Sequence, residues 1–313
     1  MKFVANLLIV LSFSSFAFGQ NVEIPIKWKK LADLPEARRN LKVISAGHQI
    51  FALGGYAQPN NGPENSHFAY HLKEHQWSVK SNMITPRSNF ALVSAKDKIY
   101  AIGGDQFLDK SEVYDIDLDK WSVLPAMPTK RQHIFGDISG VDIYIAGGLL
   151  CWKCTAEEQL TAKLEVYNIS NNRWSGLADM PTSRQNPLVS IVGDHIYVIG
   201  GMDNSQNIKP VEVFDISTQN WEIVADVPES GFFAGSVVYR KKIYILDGAE
   251  ETEATTDVLV YDPAKRKWGK ATPLPYPVQL AGFTISENKL YVVGGCDSDY
   301  KAIKTVFCGT IVD

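Results

Sequence analysis

A short apolar strand that stops on paired glycines recurs along this chain of 313 residues. One copy reads Lys98-Ile99-Tyr100-Ala101-Ile102-Gly103-Gly104, and the others end at Gly54-Gly55, Gly147-Gly148, Gly200-Gly201 and Gly294-Gly295. A sixth is degenerate and ends at Asp247-Gly248. The first position of the doublet advances by 49, 44, 53, 47 and 47 residues. A supersecondary unit repeated at this period reads as one blade of a propeller, because no single unit can bury its own apolar face.

One complete unit runs from Arg87 through an apolar strand to Val93, turns at Asp97, and ends its second strand on Gly103-Gly104. Glu112-Val113-Tyr114-Asp115 follows, then Trp121, with Met127-Pro128 beyond it. The pattern predicts four short strands separated by turns, with no helical period of useful length. A large aromatic precedes each tryptophan by seven residues: Tyr70 and Trp77, Tyr114 and Trp121, Tyr167 and Trp174, Phe214 and Trp221, Tyr261 and Trp268. A constant step of this kind implies a tight hairpin that packs both rings on a neighbouring sheet. Five such pairs accompany six glycine strands, and Trp28 stands near the start with no repeat before it. The N-terminal strand is therefore expected to complete the sixth blade and close the ring, removing the open edges of a linear array.

These residues resemble the kelch family. The glycine doublet, the Glu-Val-Tyr strand, the Tyr-x6-Trp step and the Met-Pro-x-x-Arg turn match its motif across nearly all of residues 25–312. The resemblance implies an all-β fold, a six-bladed kelch β-propeller, with residues 20–313 in one domain. The doublet also has a local reason, since a crowded strand exit needs the positive φ that glycine supplies.

Met1-Lys2, the apolar stretch 3–18 and the small residues Ala17 and Gly19 describe a secretory signal peptide over residues 1–19. Its serines, and a length short of about 20 apolar residues, make it a poor membrane span. Removing it takes away one positive charge, so the net of −4 becomes −4 − 1 = −5. An acidic balance without a basic run excludes nucleic acid as the expected partner. The mature chain is expected to be secreted or periplasmic and to carry no membrane span. In an oxidising compartment the four cysteines pair naturally, Cys151 with Cys154 and Cys296 with Cys308 being favoured while the connectivity stays open. No second CxxC or HxxxH supplies a zinc set, the acidic run at 250–253 has no calcium spacing, and no metal or cofactor is expected. Asn168-Ile169-Ser170 is a glycosylation sequon, relevant in a eukaryote.

In kelch propellers the loops entering the innermost strand and those leaving the doublet share one face around the central channel. The first set carries Arg38, Arg87, Arg131 and Arg184 in blades one to four, with Asn40, Asn89, His133 and Asn186 two residues on. Blades five and six carry Gly231 and Val278, then Phe233 and Leu280, so the ring is expected to be polar and cationic on one side only. Arg87, Arg131 and Arg184 belong to the repeat, and Glu112, Glu165 and Glu212 hold a fixed place in the same blades. Buried ion pairs account for both sets, whereas arginines at the mouth would bind substrate. Arg39 falls outside the repeat and is freer to serve a ligand. Strand alternation puts the residues two past each arginine on the same side as it. His133 is the one histidine there, and Tyr56 and Tyr276 are its rivals for acid–base work. His48 and His195 fall in turns on the opposite face, and His67 at the end of a loop. Trp152, in the loop carrying the two clustered cysteines, is placed to stack on a sugar ring or to pack on its own loop.

Two functions from different classes follow. Small exported six-bladed kelch proteins resemble the sialic-acid epimerase group, and related propellers act on uronic acids as lyases. The resemblance then implies a secreted enzyme on an acidic mono- or oligosaccharide. Arginine would neutralise the carboxylate, and His133, Tyr56 or Tyr276 would abstract the proton beside it, giving a lyase, dehydratase or epimerase. The alternative is a non-catalytic extracellular kelch module that holds a glycan or protein partner on its rim.

Overall fold

The computed structural model describes residues 24–57, 62–151, 159–228, 233–247 and 255–312. The expected signal peptide, Trp152, Cys154 and Gly231 lie outside them. Every extended regular element among the described residues is a strand, and the strands form six four-stranded antiparallel sheets. Five sheets use consecutive strands. The sixth takes its outermost strand from the other end of the chain: Ile26–Lys30 pairs with Val306–Ile311, Trp28 opposite Gly309.

The inner strands are Lys42–Ala46, Ala91–Ala95, Phe135–Ser139, Leu188–Val192, Phe233–Tyr239 and Gly282–Ser286. Each packs on the next, and the last packs on the first, so the ring is closed. Six apolar clusters fill the six gaps between adjacent blades. In one, Phe51 and Leu53 of the first blade meet Phe90, Tyr114 and Trp121 of the second. The core is thus distributed between blades, and the axis is left as a channel.

In the five repeats the aromatic and the tryptophan lie directly opposite each other, ring centroids 4.9 to 5.3 Å apart. The indole N–H of Trp77, Trp121, Trp174 and Trp221 donates to a carbonyl between its own blade and the previous one, at 2.9 to 3.1 Å. Trp28 makes the same bond, to the Thr272 carbonyl at 3.2 Å. It occupies the sixth tryptophan position, as the count of strands implies.

The glycine doublets are joints between blades. Their first residues have φ from 61° to 64° and their second from 81° to 122°, the left-handed region that side chains with a Cβ avoid. The N–H of Gly55, Gly104, Gly148 and Gly295 donates to the carbonyl of Arg87, Arg131, Arg184 and Arg38 in the next blade, at 2.7 to 3.2 Å. A Cβ on Gly54 would lie 2.3 Å from the Arg87 carbonyl oxygen. Contact that close forbids any other residue.

Candidate functional site at the channel mouth

The repeat arginines turn inward. Arg87 pairs with Glu112 at 2.6 Å, Arg131 with Glu165 at 2.9 Å and Arg184 with Glu212 at 2.6 Å, every guanidinium fully buried. Arg87 and Arg184 also donate to the carbonyls of Gly103 and Gly200, both at 2.9 Å. Burial lowers each arginine's pKa and the glutamate opposes this, as in any ion pair withdrawn from water. These side chains hold blades together and present no face to a ligand. Arg38 is buried too, donating to Glu36 at 2.5 Å and to the Ser66 hydroxyl at 2.9 Å.

Strand alternation does not carry to the residues two further on. Asn40, Asn89, His133 and Asn186 have φ from 51° to 57°, and Leu280 has 53°. They form left-handed corners just before the inner strands, so each faces the mouth while its arginine turns into the blade. Asn and His tolerate this conformation better than most residues, which gives them a structural reason as well. The corners touch through the backbone: Asn40 N–H donates to Leu280 and Asn186 N–H to His133, at 2.9 and 2.8 Å.

Asp105 is the hub of the polar half. It is buried and accepts from the Tyr56 hydroxyl at 2.5 Å, from Asn89 Nδ2 at 2.9 Å, and from the Ser88 hydroxyl. Burial first, and the bond to Asp105 second, push the Tyr56 phenol up to about 12. At the next corner Asn186 Nδ2 lies 2.8 Å from His133 Nδ1. The amide N–H can only donate, so the neutral ring carries its hydrogen on Nε2 and its lone pair is engaged. Burial lowers the His133 pKa. Both acid–base candidates are thereby held protonated or neutral with their partners satisfied. Tyr276 is 39% exposed on the loop entering the sixth inner strand, away from this network.

Arg39 differs from the other arginines of this face. Its guanidinium lies 5.5 Å from the Tyr56 ring centroid, it has no carboxylate partner among the described residues, and its Nε is buried without a hydrogen bond. Its charge reaches Cys296 of the sixth blade, where it counteracts the burial that pushes that thiol up to about 11.

Cys296 and Cys308 are buried free thiols, and the expected disulfide between them is not formed. Cys308 pairs in register with Tyr291, and Cys296 lies five residues further along the chain. At about 3.3 Å per strand residue that separation far exceeds the roughly 7 Å a disulfide can bridge. Cys151 is disulfide-bonded. His67 is not in a loop: it opens the strand His67–His71 and is fully buried. His48 and His195 sit in or beside the opposite turns, facing Glu287 and Asp215.

Below the mouth runs a channel of about 360 Å³ lined by the inner strands. Its wall holds Lys42 and Asp137, which were not among the sequence candidates, and neither was Asp105. All three stand out in the aligned columns of the repeat. Asp105 is the one acid among Tyr56, Leu149, Met202 and Cys296, directly after a doublet. No group of His, Cys, Asp and Glu among the described residues could hold a metal ion. No described helix is long and apolar enough to cross a membrane.

The model of the KLHDC2/KLHL20/DRC7 Kelch-repeats domain matches residues 40–230 and 138–310. The chain belongs to the kelch-repeat family. It is similar to Kelch-like protein terF of Aspergillus terreus, 28% identical over 220 residues that cover 64% of this chain and 48% of that one. Kelch-like protein 36 of Bos taurus is 30% identical over 57% of this chain and 29% of that protein. The chain thus spans half or less of these curated kelch relatives. A solved structure titled "Structure of YjhT" shares the fold, with a TM-score of 0.78 over 90% of this chain and 97% of that one at 15% identity.

Proposed function

We propose that this kelch propeller is a non-catalytic binding module that docks a protein partner across the sixth and first blades of its mouth face. The observation that carries the reading is Arg39, a cation without a carboxylate partner, in the sector where the loops of the sixth blade expose Tyr276 and Tyr300. Tyrosine and arginine are the residue types that dominate binding at protein interfaces. An acidic side chain over Arg39, flanked by aromatic contacts, suits the chemistry of this sector. The locked state of Tyr56 and His133 argues against proton abstraction, and the ion-paired arginines of the repeat cannot neutralise a sugar acid.

The test is fluorescence anisotropy with a library of short acidic peptides containing apolar residues, run beside sialic acid and uronate oligosaccharides. Peptide binding that weakens at least tenfold in Arg39→Ala, and again in Tyr276→Ala with Tyr300→Ala, supports the proposal. Binding of the saccharides alone, or the appearance of an unsaturated uronate, would overturn it.

A further inference from the structure

Lys42 pairs with the residue before its glycine doublet, and the positions in the same register on the other inner strands are, in ring order, Ala91, Phe135, Leu188, Gly235 and Gly282. Five are apolar or glycine, so the repeat does not demand an amine at this level. Lys42 has no carboxylate partner among the described residues, and its ammonium lies 3.2 Å from the Phe135 ring centroid. The strands packed on its own, Ala91–Ala95 and Gly282–Ser286, bring no acidic or basic group. Asp137, in the same channel wall, accepts from the backbone N–H groups of Ile138 and Ile191, both at 2.8 Å. His133, at the mouth, also feels the charge of Lys42.

We propose that Lys42 is an imine-forming site that captures small aldehydes and ketones entering the channel. The Nζ lone pair attacks the carbonyl carbon, and the carbonyl π electrons move to oxygen, which takes a proton to give a carbinolamine. Loss of that oxygen as water, with both amine hydrogens given up, leaves a C=N bond. Amine and carbonyl thus yield imine and one water, with no change of oxidation state. The step needs a free amine. Burial lowers the Lys42 pKa to about 7, whereas an exposed lysine offers about a thousandfold less free amine at neutral pH. Lys42 and Phe135 both line the cavity, the amine lying against the ring face, and the Asn40, Asn89 and Asn186 corners line the way in.

The experiment is competitive labelling of the intact protein with limiting pyruvate at pH 7, each imine being trapped by hydride from sodium cyanoborohydride and located by peptide mass mapping. Lys42 is expected to label at least tenfold faster than any exposed lysine, with half-maximal rate near pH 7. Lys42→Met should lose that adduct and no other. Labelling of Lys42 no faster than exposed Lys267 overturns the proposal. The wild-type ratio decides the matter even if the variant fails to fold.

Discussion

The Tyr56 hydroxyl donates a 2.5 Å hydrogen bond to the Asp105 carboxylate, joining two residues that each directly follow a glycine doublet in adjacent blades. The same carboxylate accepts from Asn89 and Ser88, so one acid orders the polar half of the mouth. Replacing Asp105 with Ala would strand three donors, and an unsatisfied buried donor costs about 1–3 kcal/mol. Tyr56→Phe removes one bond of the set and should cost about 0.5–1.5 kcal/mol. In Asp105→Asn the phenol titration, followed by ultraviolet difference absorbance, should move down from about 12. An unchanged Tyr56 titration would show that Asp105 does not hold it.

Arg184 and Glu212 are the most deeply buried ion pair among the described residues, both fully inaccessible. Arg184→Met alone leaves Glu212 charged in the blade and should cost about 3–5 kcal/mol in urea unfolding. The double change with Glu212→Leu should recover most of that loss, because the desolvation of both charges disappears together. If the double variant is less stable than either single one, the pair is a net stabiliser.

His67 makes stability depend on pH. Its ring is buried against Tyr114 and Trp121, centroids 4.5 and 5.7 Å away, and Nδ1 lies 3.2 Å from the Ser81 carbonyl. Burial lowers its pKa from 6.5 to about 4. Between those values the unfolded chain binds a proton that the native chain does not. Stability is therefore whole above pH 6.5 and declines as pH falls toward 4, by about 1.4 kcal/mol per unit. His67→Phe removes this group, so the unfolding free energy of wild type minus variant should fall across the window. A flat difference rules the mechanism out.

Cys296 and Cys308 are predicted to be unreactive while folded and reactive once unfolded. Burial raises both thiols, Cys296 to about 11, so little thiolate exists at neutral pH. Alkylation in denaturant without reductant, followed by peptide mapping, should find both cysteines capped. A peptide pair linked through 296 and 308 would contradict the structure. Half of the cysteine argument for an oxidising compartment accordingly lapses.

Architecture was legible in the sequence because it is periodic: doublets, aromatic steps and the leftover Trp28 are local patterns whose meaning is the same in every blade. The site is where blades differ, and there the reasoning divides. Arg87, Arg131 and Arg184 recur with Glu112, Glu165 and Glu212, and the buried-pair reading of those columns is what the geometry shows. Asn89 and His133 invited a strand rule, but a left-handed corner sends each side chain the other way. Asp105 and Lys42 break their own columns, a signal present in the sequence and passed over in favour of residue types with familiar chemistry. Arg39 stood out because it lies outside the repeat.

Ring closure turns on Gly309 and Trp28. In five blades the residue opposite the tryptophan is Tyr or Phe, whereas in the sixth it is glycine. A Cβ on Gly309 would lie 2.6 Å from the Trp28 ring and 2.7 Å from Ile26. Because the two strands come from opposite ends of the chain, no hairpin holds them, and the indole is placed by its packing and by its bond to the Thr272 carbonyl. Gly309→Ala should cost about 1–3 kcal/mol, the range for overpacking a filled site. In a Trp28→Ala background the same change should cost less, because only the contact with Ile26 remains, and a double-mutant cycle would report the part due to Trp28 as the coupling. Amide exchange of residues 306–311 should accelerate in Gly309→Ala while that of the inner strands stays slow, since the outermost strand detaches first. Equal costs in both backgrounds would mean that Gly309 is there for its own backbone and not for Trp28.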